Sequence, residues 1–177
     1  MSEKYKIHED GLYFVSFSVV GWIDVFTRRD YQEILISSIE FCQKHKGLKI
    51  YCYCIMPNHI HFISVSENGS LTNVLRDFKA YTAKQMMNAI AENPQESRKE
   101  WMLKLFKYFG SKTPQKQNMQ FWKHDNHPFF LYTPKMIQQK IDYIHENPVE
   151  AGFVNRPEQW RLSSANEESP IKLAEWG

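Results

Sequence analysis

Tyr51-Cys52-Tyr53-Cys54-Ile55-Met56-Pro57-Asn58-His59-Ile60-His61-Phe62-Ile63 joins two aromatic and β-branched runs through a Pro-Asn pair. That composition predicts two strands, Leu48 to Met56 and His59 to Val65, paired as a hairpin in an antiparallel sheet. In an extended chain, side chains two residues apart share a face. His59 and His61 are therefore placed to hold one divalent ion between them, although a pair at this spacing also describes ordinary half-buried histidines.

Outward from the hairpin, Leu12 to Ile23 reads as a first strand that Gly21 ends or bends. From Asp30 to Cys42 the apolar spacing is helical, with Asp30 as N-cap, Glu33 completing a capping-box pattern and Gly47 as the stop. A long helix is expected from Leu71 to about Glu92, capped by Ser70 and broken at Asn93-Pro94, and a further helix from Gln95 to Lys107. Gly110 to Asn118 has loop composition, and Met119 to Tyr132 reads as a fourth strand interrupted by a turn. Thr133 and Pro134 open the last helix as N-cap and first helical residue. Its apolar stripe is Ile137, Ile141 and Ile144, with Met136, Lys140, Tyr143 and Asn147 on a flank beside it. Pro148 is expected to end it at Asn147.

A chain of 177 residues, 42% hydrophobic and 15% aromatic, is sized for one domain with a substantial core. No run of eighteen apolar residues occurs, and residues 1–10 lack the apolar core of a signal peptide. The expectation is a soluble cytoplasmic protein with no membrane partner. Cys42, Cys52 and Cys54 form no zinc-type spacing and are expected as reduced core thiols. The net charge of +2 points to no partner by itself, but Arg98 to Lys123 carries seven basic residues against one acid, Glu100. Such a zone is either a solvated face or a groove that follows phosphates.

Two blocks, Ile55-Met56-Pro57-Asn58-His59-Ile60-His61-Phe62-Ile63 and Tyr143-Ile144-His145-Glu146-Asn147-Pro148-Val149-Glu150-Ala151-Gly152-Phe153-Val154, resemble the signatures of the single-tyrosine transposases of the histidine-hydrophobic-histidine endonuclease superfamily. The chain is most similar to their REP-associated tyrosine transposase branch, in which MPNHxH and YIHxNPVxAG recur. Phe121-Trp122-Lys123-His124-Asp125 also resembles the segment that precedes the tyrosine helix there. The resemblance covers about residues 12–165 and leaves a tail of about 166–177. It implies an α+β, ferredoxin-like (RRM-like) fold: an antiparallel sheet with helices packed on one face, in a single domain of residues 1–177.

The resemblance further implies His59 and His61 as metal ligands, Asn147 as the third, and Tyr143 as the nucleophile. Relatives in the insertion-sequence branch carry glutamine where Asn147 stands, so the shorter amide is a departure. The implied enzyme nicks and joins single-stranded or hairpin DNA through a 5′-phosphotyrosine. A divalent ion neutralises the phosphate and polarises phosphorus, and a tyrosine hydroxyl, with a solution pKa of about 10, needs such help to attack. Two imidazoles and an amide suit Mn²⁺ or Mg²⁺, and the ligand types also admit zinc. Arg76, Lys79 and Lys123 are candidates for phosphate contacts, and Trp122 or Tyr81 for base stacking. His124 and His127 are candidates for assisting the metal or a proton transfer. Relatives act as monomers or homodimers. The alternative is a DNA hairpin-binding module of the same fold that does not cut, which would not need Tyr143, His59 and His61 together. A His-x-His-x-His hydrolase is disfavoured because position 63 is Ile63.

Overall fold

Alternation of buried and half-exposed residues marks Tyr13–Ser18 as β1, which buries Tyr13, Val15 and Phe17 on one side. In this computed structural model, which describes residues 11–124 and 128–176, the strand ends short of the expected Ile23. Gly21, at φ +62°, turns the chain into a single 3-10 turn at Val20–Trp22. β2 (Leu48–Met56) and β3 (His59–Ser66) are the expected hairpin, with Met56 opposite His59 across Pro57-Asn58. The short β4 (Phe129–Phe130) completes a sheet ordered β2-β3-β1-β4, antiparallel throughout. That order, with helices between β1 and β2 and between β3 and β4, is the ferredoxin-like arrangement.

β2 serves both faces of the sheet through an irregularity. Ile50 pairs with Ser64 and Cys52 with Ile63, so two β2 residues span one step of β3, a β-bulge. Before it, Leu48 and Ile50 point into the main core; after it, Tyr53 and Ile55 do. Tyr51, Cys52, Cys54 and Met56 face the opposite side. All three cysteines are free and buried.

The main core lies between one sheet face and α1 (Arg29–Lys46), α2 (Leu71–Glu92) and α3 (Lys99–Lys112). Gly47 closes α1 in the left-handed region at φ +68°, as expected. Two N-terminal expectations are corrected. Arg28, not Asp30, is the α1 N-cap, Asp30 sits in the first turn, and Glu33 pairs with Arg29 at 3.1 Å. α3 begins at Lys99 rather than Gln95, and Gly110 belongs to it rather than to a loop. Ser70 caps α2 by position, without a side-chain hydrogen bond.

The other sheet face carries α4 (Pro134–Glu150), whose Ile144 packs with Cys52, Cys54, Met56, Ile63 and Leu131. Thr133 accepts the Met136 N–H at 3.2 Å, the expected cap. Pro148 does not stop the helix. A proline near a C-terminus loses only one N–H, and here Ala151 N donates to Asn147 O at 3.0 Å and Phe153 N to Pro148 O at 3.0 Å to finish the turn. The stretch after residue 165 is no loose tail, for Ile171 is buried in the main core and Ala174 N donates to Ile50 O at 2.7 Å. No described helix is long and apolar enough to cross a membrane.

Candidate active site

Strand parity puts His59 and His61 on the α4 face, with their ring centroids 4.8 Å apart. Phe14 of β1 stacks on His61 at 5.4 Å, and Tyr143 of α4 approaches the same imidazole at 5.3 Å, nearly edge-on. Sheet and helix of one chain thus bring together the histidine pair and the tyrosine. Asn147, one turn after Tyr143, joins them: its Oδ1 lies 3.1 Å from His59 Nε2. All four residues of the implied set meet in one place.

The hydrogen bonding around the histidines is incomplete in a specific way. Asn58 donates from Nδ2 to Trp22 O at 3.3 Å, which turns its Oδ1 toward His59 Nδ1 at 2.6 Å. Asn147 likewise donates from Nδ2 to Tyr143 O at 3.1 Å, which turns its Oδ1 toward His59 Nε2. A neutral imidazole has a single N–H, so it can donate to only one of these two oxygens. The shorter contact assigns the proton to Nδ1 and leaves the Nε2 lone pair facing an amide oxygen. Burial lowers the pKa of His59, against the raising effect of the Asn147 contact. His61 is 4% exposed, and neither ring nitrogen has a partner. Burial, with His59 and Lys140 nearby, pushes its pKa down to about 3. Neutral imidazoles with unused lone pairs, beside an amide oxygen, form a donor set that a cation would satisfy. Among the described residues no cluster of three His, Cys, Asp or Glu side chains exists, so the protein ligands of such an ion would be two imidazoles and an amide.

Tyr143 is 43% exposed, with one side against His61 and Phe14 and the other open. Lys140, one turn earlier, holds its ammonium 5.1 Å from the Tyr143 ring and 4.4 Å from that of Phe14. The helix is tied down just beyond the tyrosine. His145 Nε2 lies 3.3 Å from Cys52 Sγ and 2.9 Å from Ser164 Oγ, and Ser164 also takes the Tyr53 N–H at 2.9 Å. This is a clamp, not a thiolate site, since burial pushes the Cys52 thiol up to about 12. Burial also raises Cys54 to about 12.

The residues expected to contact DNA divide. Trp122 is corrected: it is 4% exposed, packs between Phe17, Phe26 and Phe121, and donates its indole N–H to Thr82 at 3.0 Å, so no base can stack on it. Lys79 donates to Lys123 O at 3.1 Å and lies 5.4 Å from the Phe17 ring. Arg76 pairs with its neighbour Asp77 at 3.1 Å on the exposed side of α2, away from the histidines. Tyr81 is exposed on the same helix. Lys123 and His124 line a groove of about 750 Å³ next to the site. His127 and Asp125 lie outside the described residues. Of the basic zone, Arg98 is taken up by Glu96 and Asp24, at 3.2 and 2.7 Å.

Three neighbours of the site escaped the expected set. Asn58 sits within the quoted motif, and its adjacency to His59 is the signal that could have exposed it. Lys140 was placed on the tyrosine flank without a role. Trp22, whose ring meets His59 edge-on at 5.9 Å, is isolated in sequence and gave no periodic signal.

Residues 23–124 match the profile of a family described as transposase IS200 like. A curated Haemophilus influenzae protein, provisionally named a REP-associated tyrosine transposase, is 24% identical over 169 residues, spanning 94% of this chain and 88% of its own length. The solved structure of a REP-associated tyrosine transposase bound to a REP hairpin has a TM-score of 0.63 at 20% identity, covering 99% of this chain and 92% of that one. The profile takes in the hairpin with both histidines and runs over more than half of the sequence, and the chain belongs to the IS200-like transposase family.

Proposed function

We propose that this chain nicks and rejoins a DNA strand beside a hairpin, in a divalent-metal-dependent reaction that passes through a 5′-phosphotyrosine on Tyr143. The observation that carries this reading is that Tyr143 lies against its own His61, whose two ring nitrogens are buried and unpartnered. His59, His61 and Asn147 would hold Mg²⁺ or Mn²⁺. When bound, such an ion supplies charge neutralisation and polarisation of the scissile phosphate.

The chain's own residues supply the rest. Tyr143 Oη attacks phosphorus; the P–Oη bond forms as the bond to the 3′ oxygen breaks, and the strand leaves with a 3′-hydroxyl. The phenol proton exits to solvent on the open side of Tyr143, and the departing oxygen takes a proton in turn. The Lys140 ammonium, 5.1 Å from the ring, favours the phenolate as it forms. Phe14 and α4 keep one side of the phenol dry. Reversal by another 3′-hydroxyl reforms a phosphodiester and frees Tyr143, because the ester bond is conserved on the enzyme. The hairpin partner is supported by the solved relative, which is bound to one.

The test is to incubate labelled hairpin DNA carrying single-stranded flanks with the protein and Mn²⁺ or Mg²⁺, and to look for a covalent adduct stable to denaturant. Wild type should form it, Tyr143→Phe should not, and His59→Ala should lose cleavage while retaining hairpin binding. Equal adduct from Tyr143→Phe would overturn the assignment of the nucleophile. Hairpin binding by wild type with no adduct would establish the non-cutting module instead.

A further inference from the structure

We propose that Trp22 and Lys123 form a nucleotide subsite beside the histidine pair, where an unpaired base of the cleaved strand stacks on the Trp22 indole and its phosphate meets the Lys123 ammonium. This rests on the DNA-strand reading above and extends it to residues outside the histidine and tyrosine blocks.

The backbone is the first observation. Trp22 has φ +55°, a left-handed conformation that a bulky L residue rarely adopts, and it directly follows Gly21 at φ +62°. Only glycine fits at position 21, where a Cβ would lie 2.8 Å from the Phe109 ring. Such strain persists only when the surroundings hold it, and they do. The Trp22 N–H donates to Val19 O at 3.2 Å, its carbonyl accepts from Asn58 at 3.3 Å, and Val20 N donates to Phe121 O at 2.9 Å. The outcome is a large aromatic ring held outward, 56% exposed, with its plane nearly perpendicular to that of His59. Burial does not account for this expense, since the ring is mostly in water.

The surroundings point to the ligand. Lys123 places its ammonium 3.8 Å from the centre of the indole, on a backbone anchored to β1 by Lys123 N donating to Ser18 O at 2.8 Å. From there a groove of about 750 Å³ runs past Gly21 and Phe109, with Lys112, Gln117, Gln120 and His124 among its walls. No carboxylate lines it among the described residues. A half-exposed indole, basic side chains and amide donors together are the chemistry of single-stranded nucleic acid binding: stacking for any base, charge for the backbone. Gly21 and Lys123 of the groove wall adjoin Trp22, and Trp22 in turn meets His59, so a strand that leaves the groove over Trp22 would reach the histidines next.

The test is a binding measurement that needs no chemistry. In the Tyr143→Phe background with EDTA, fluorescein-labelled DNA hairpins with a randomised single-stranded flank are compared with the same hairpins whose flank consists of abasic nucleotides. The base-bearing pool should bind about tenfold more tightly. Adding Trp22→Ala should erase that preference while leaving affinity for the abasic pool unchanged, and Trp22→Phe should keep most of it. Lys123→Ala should weaken both pools alike and reduce the salt dependence by about one unit of slope. A preference that survives Trp22→Ala overturns the subsite. A misfolded variant reveals itself by losing the abasic pool as well, and Trp22→Phe then decides, because a stacking site keeps its preference with phenylalanine. Failure of the background protein to bind either pool would overturn the DNA-strand reading and the subsite together.

Discussion

Asn58 decides which nitrogen His59 offers. Its amide is pinned by the Trp22 carbonyl, so its oxygen holds the His59 proton on Nδ1 and turns Nε2 toward Asn147. Such outer hydrogen bonds tune metal affinity by about 10- to 100-fold. On the metal-dependent, hairpin-binding reading proposed above, Asn58→Ala should weaken Mn²⁺ binding by roughly that factor in titration calorimetry without DNA, while hairpin affinity in EDTA stays at the wild-type level. Unchanged Mn²⁺ affinity would mean that the tautomer is set elsewhere. At this scale the motif blocks made His59, His61, Tyr143 and Asn147 legible, because their spacing on strand and helix is local information. Trp122 was misread because an aromatic beside Lys123 and His124 looks superficial, whereas contacts with Phe17 and Thr82, about forty to a hundred residues away, bury it. Trp22 was invisible for the converse reason. Nothing local says that a strained turn will hold it beside His59.

The elements most legible were those with local stop and start chemistry: Gly47, Asn93-Pro94 and Thr133-Pro134 all mark real boundaries. α3 started late because its first turn is spent on other bonds. Gln95 N donates to the Asn93 side chain at 2.9 Å, Arg98 N donates to Glu96 at 3.1 Å, and residues 93–98 stay a loop. Of the expected fourth strand, Met119 to Tyr132, only Phe129–Phe130 is strand among the described residues. Trp122 bridges to Val19 and Phe129–Phe130 pairs with β1, with residues 125–127 between them outside the described set. The β2 bulge had no sequence signal, since from Ile50 to Met56 the strand is apolar on both faces. It makes a sharp prediction. Deleting Tyr51 joins Ile50 directly to Cys52 and leaves Leu48, Ile50, Tyr53 and Ile55 on the core face in regular alternation with the same partners on β3. The deletion should therefore keep a cooperative thermal transition by circular dichroism, as Tyr51→Ala should. A deletion variant with no cooperative transition would refute the placement of the bulge at Tyr51.

Across the whole molecule, a buried carboxylate ties distant segments together. The Glu96 side chain is fully buried, paired with Arg28 at 2.8 Å and Arg98 at 3.2 Å, and Arg98 reaches on to Asp24 at 2.7 Å. Burial alone would raise the Glu96 pKa, but hydrogen bonds from Arg98 and the charges of Arg98 and Arg28 together lower it. A depressed carboxylate contributes stability that is complete above its unfolded pKa of about 4.3 and is lost as pH falls through the folded value. Glu96→Gln should cost about 2 kcal/mol at pH 7, below the roughly 3–5 kcal/mol of a fully buried broken pair because both arginines are partly exposed. The gap from wild type in chemical denaturation should narrow as pH drops from about 5 toward 3. A gap that is constant with pH would show that packing, not charge, is what Glu96 supplies.

The sheet also divides the molecule unequally. α1 and α2 bury five and seven residues against one face, whereas α4 buries only Ile144 and Pro148 against the other. Opening free energies follow buried contact, so native-state amide exchange should be faster in α4, by sub-global opening, than in α1 and α2. Equal protection of α4 and α2 would contradict this. Tyr143, the proposed nucleophile, lies on the less buried of the two helical layers. The fold can lend out its tyrosine for a moment while the histidines, paired into the centre of the sheet, stay where they are.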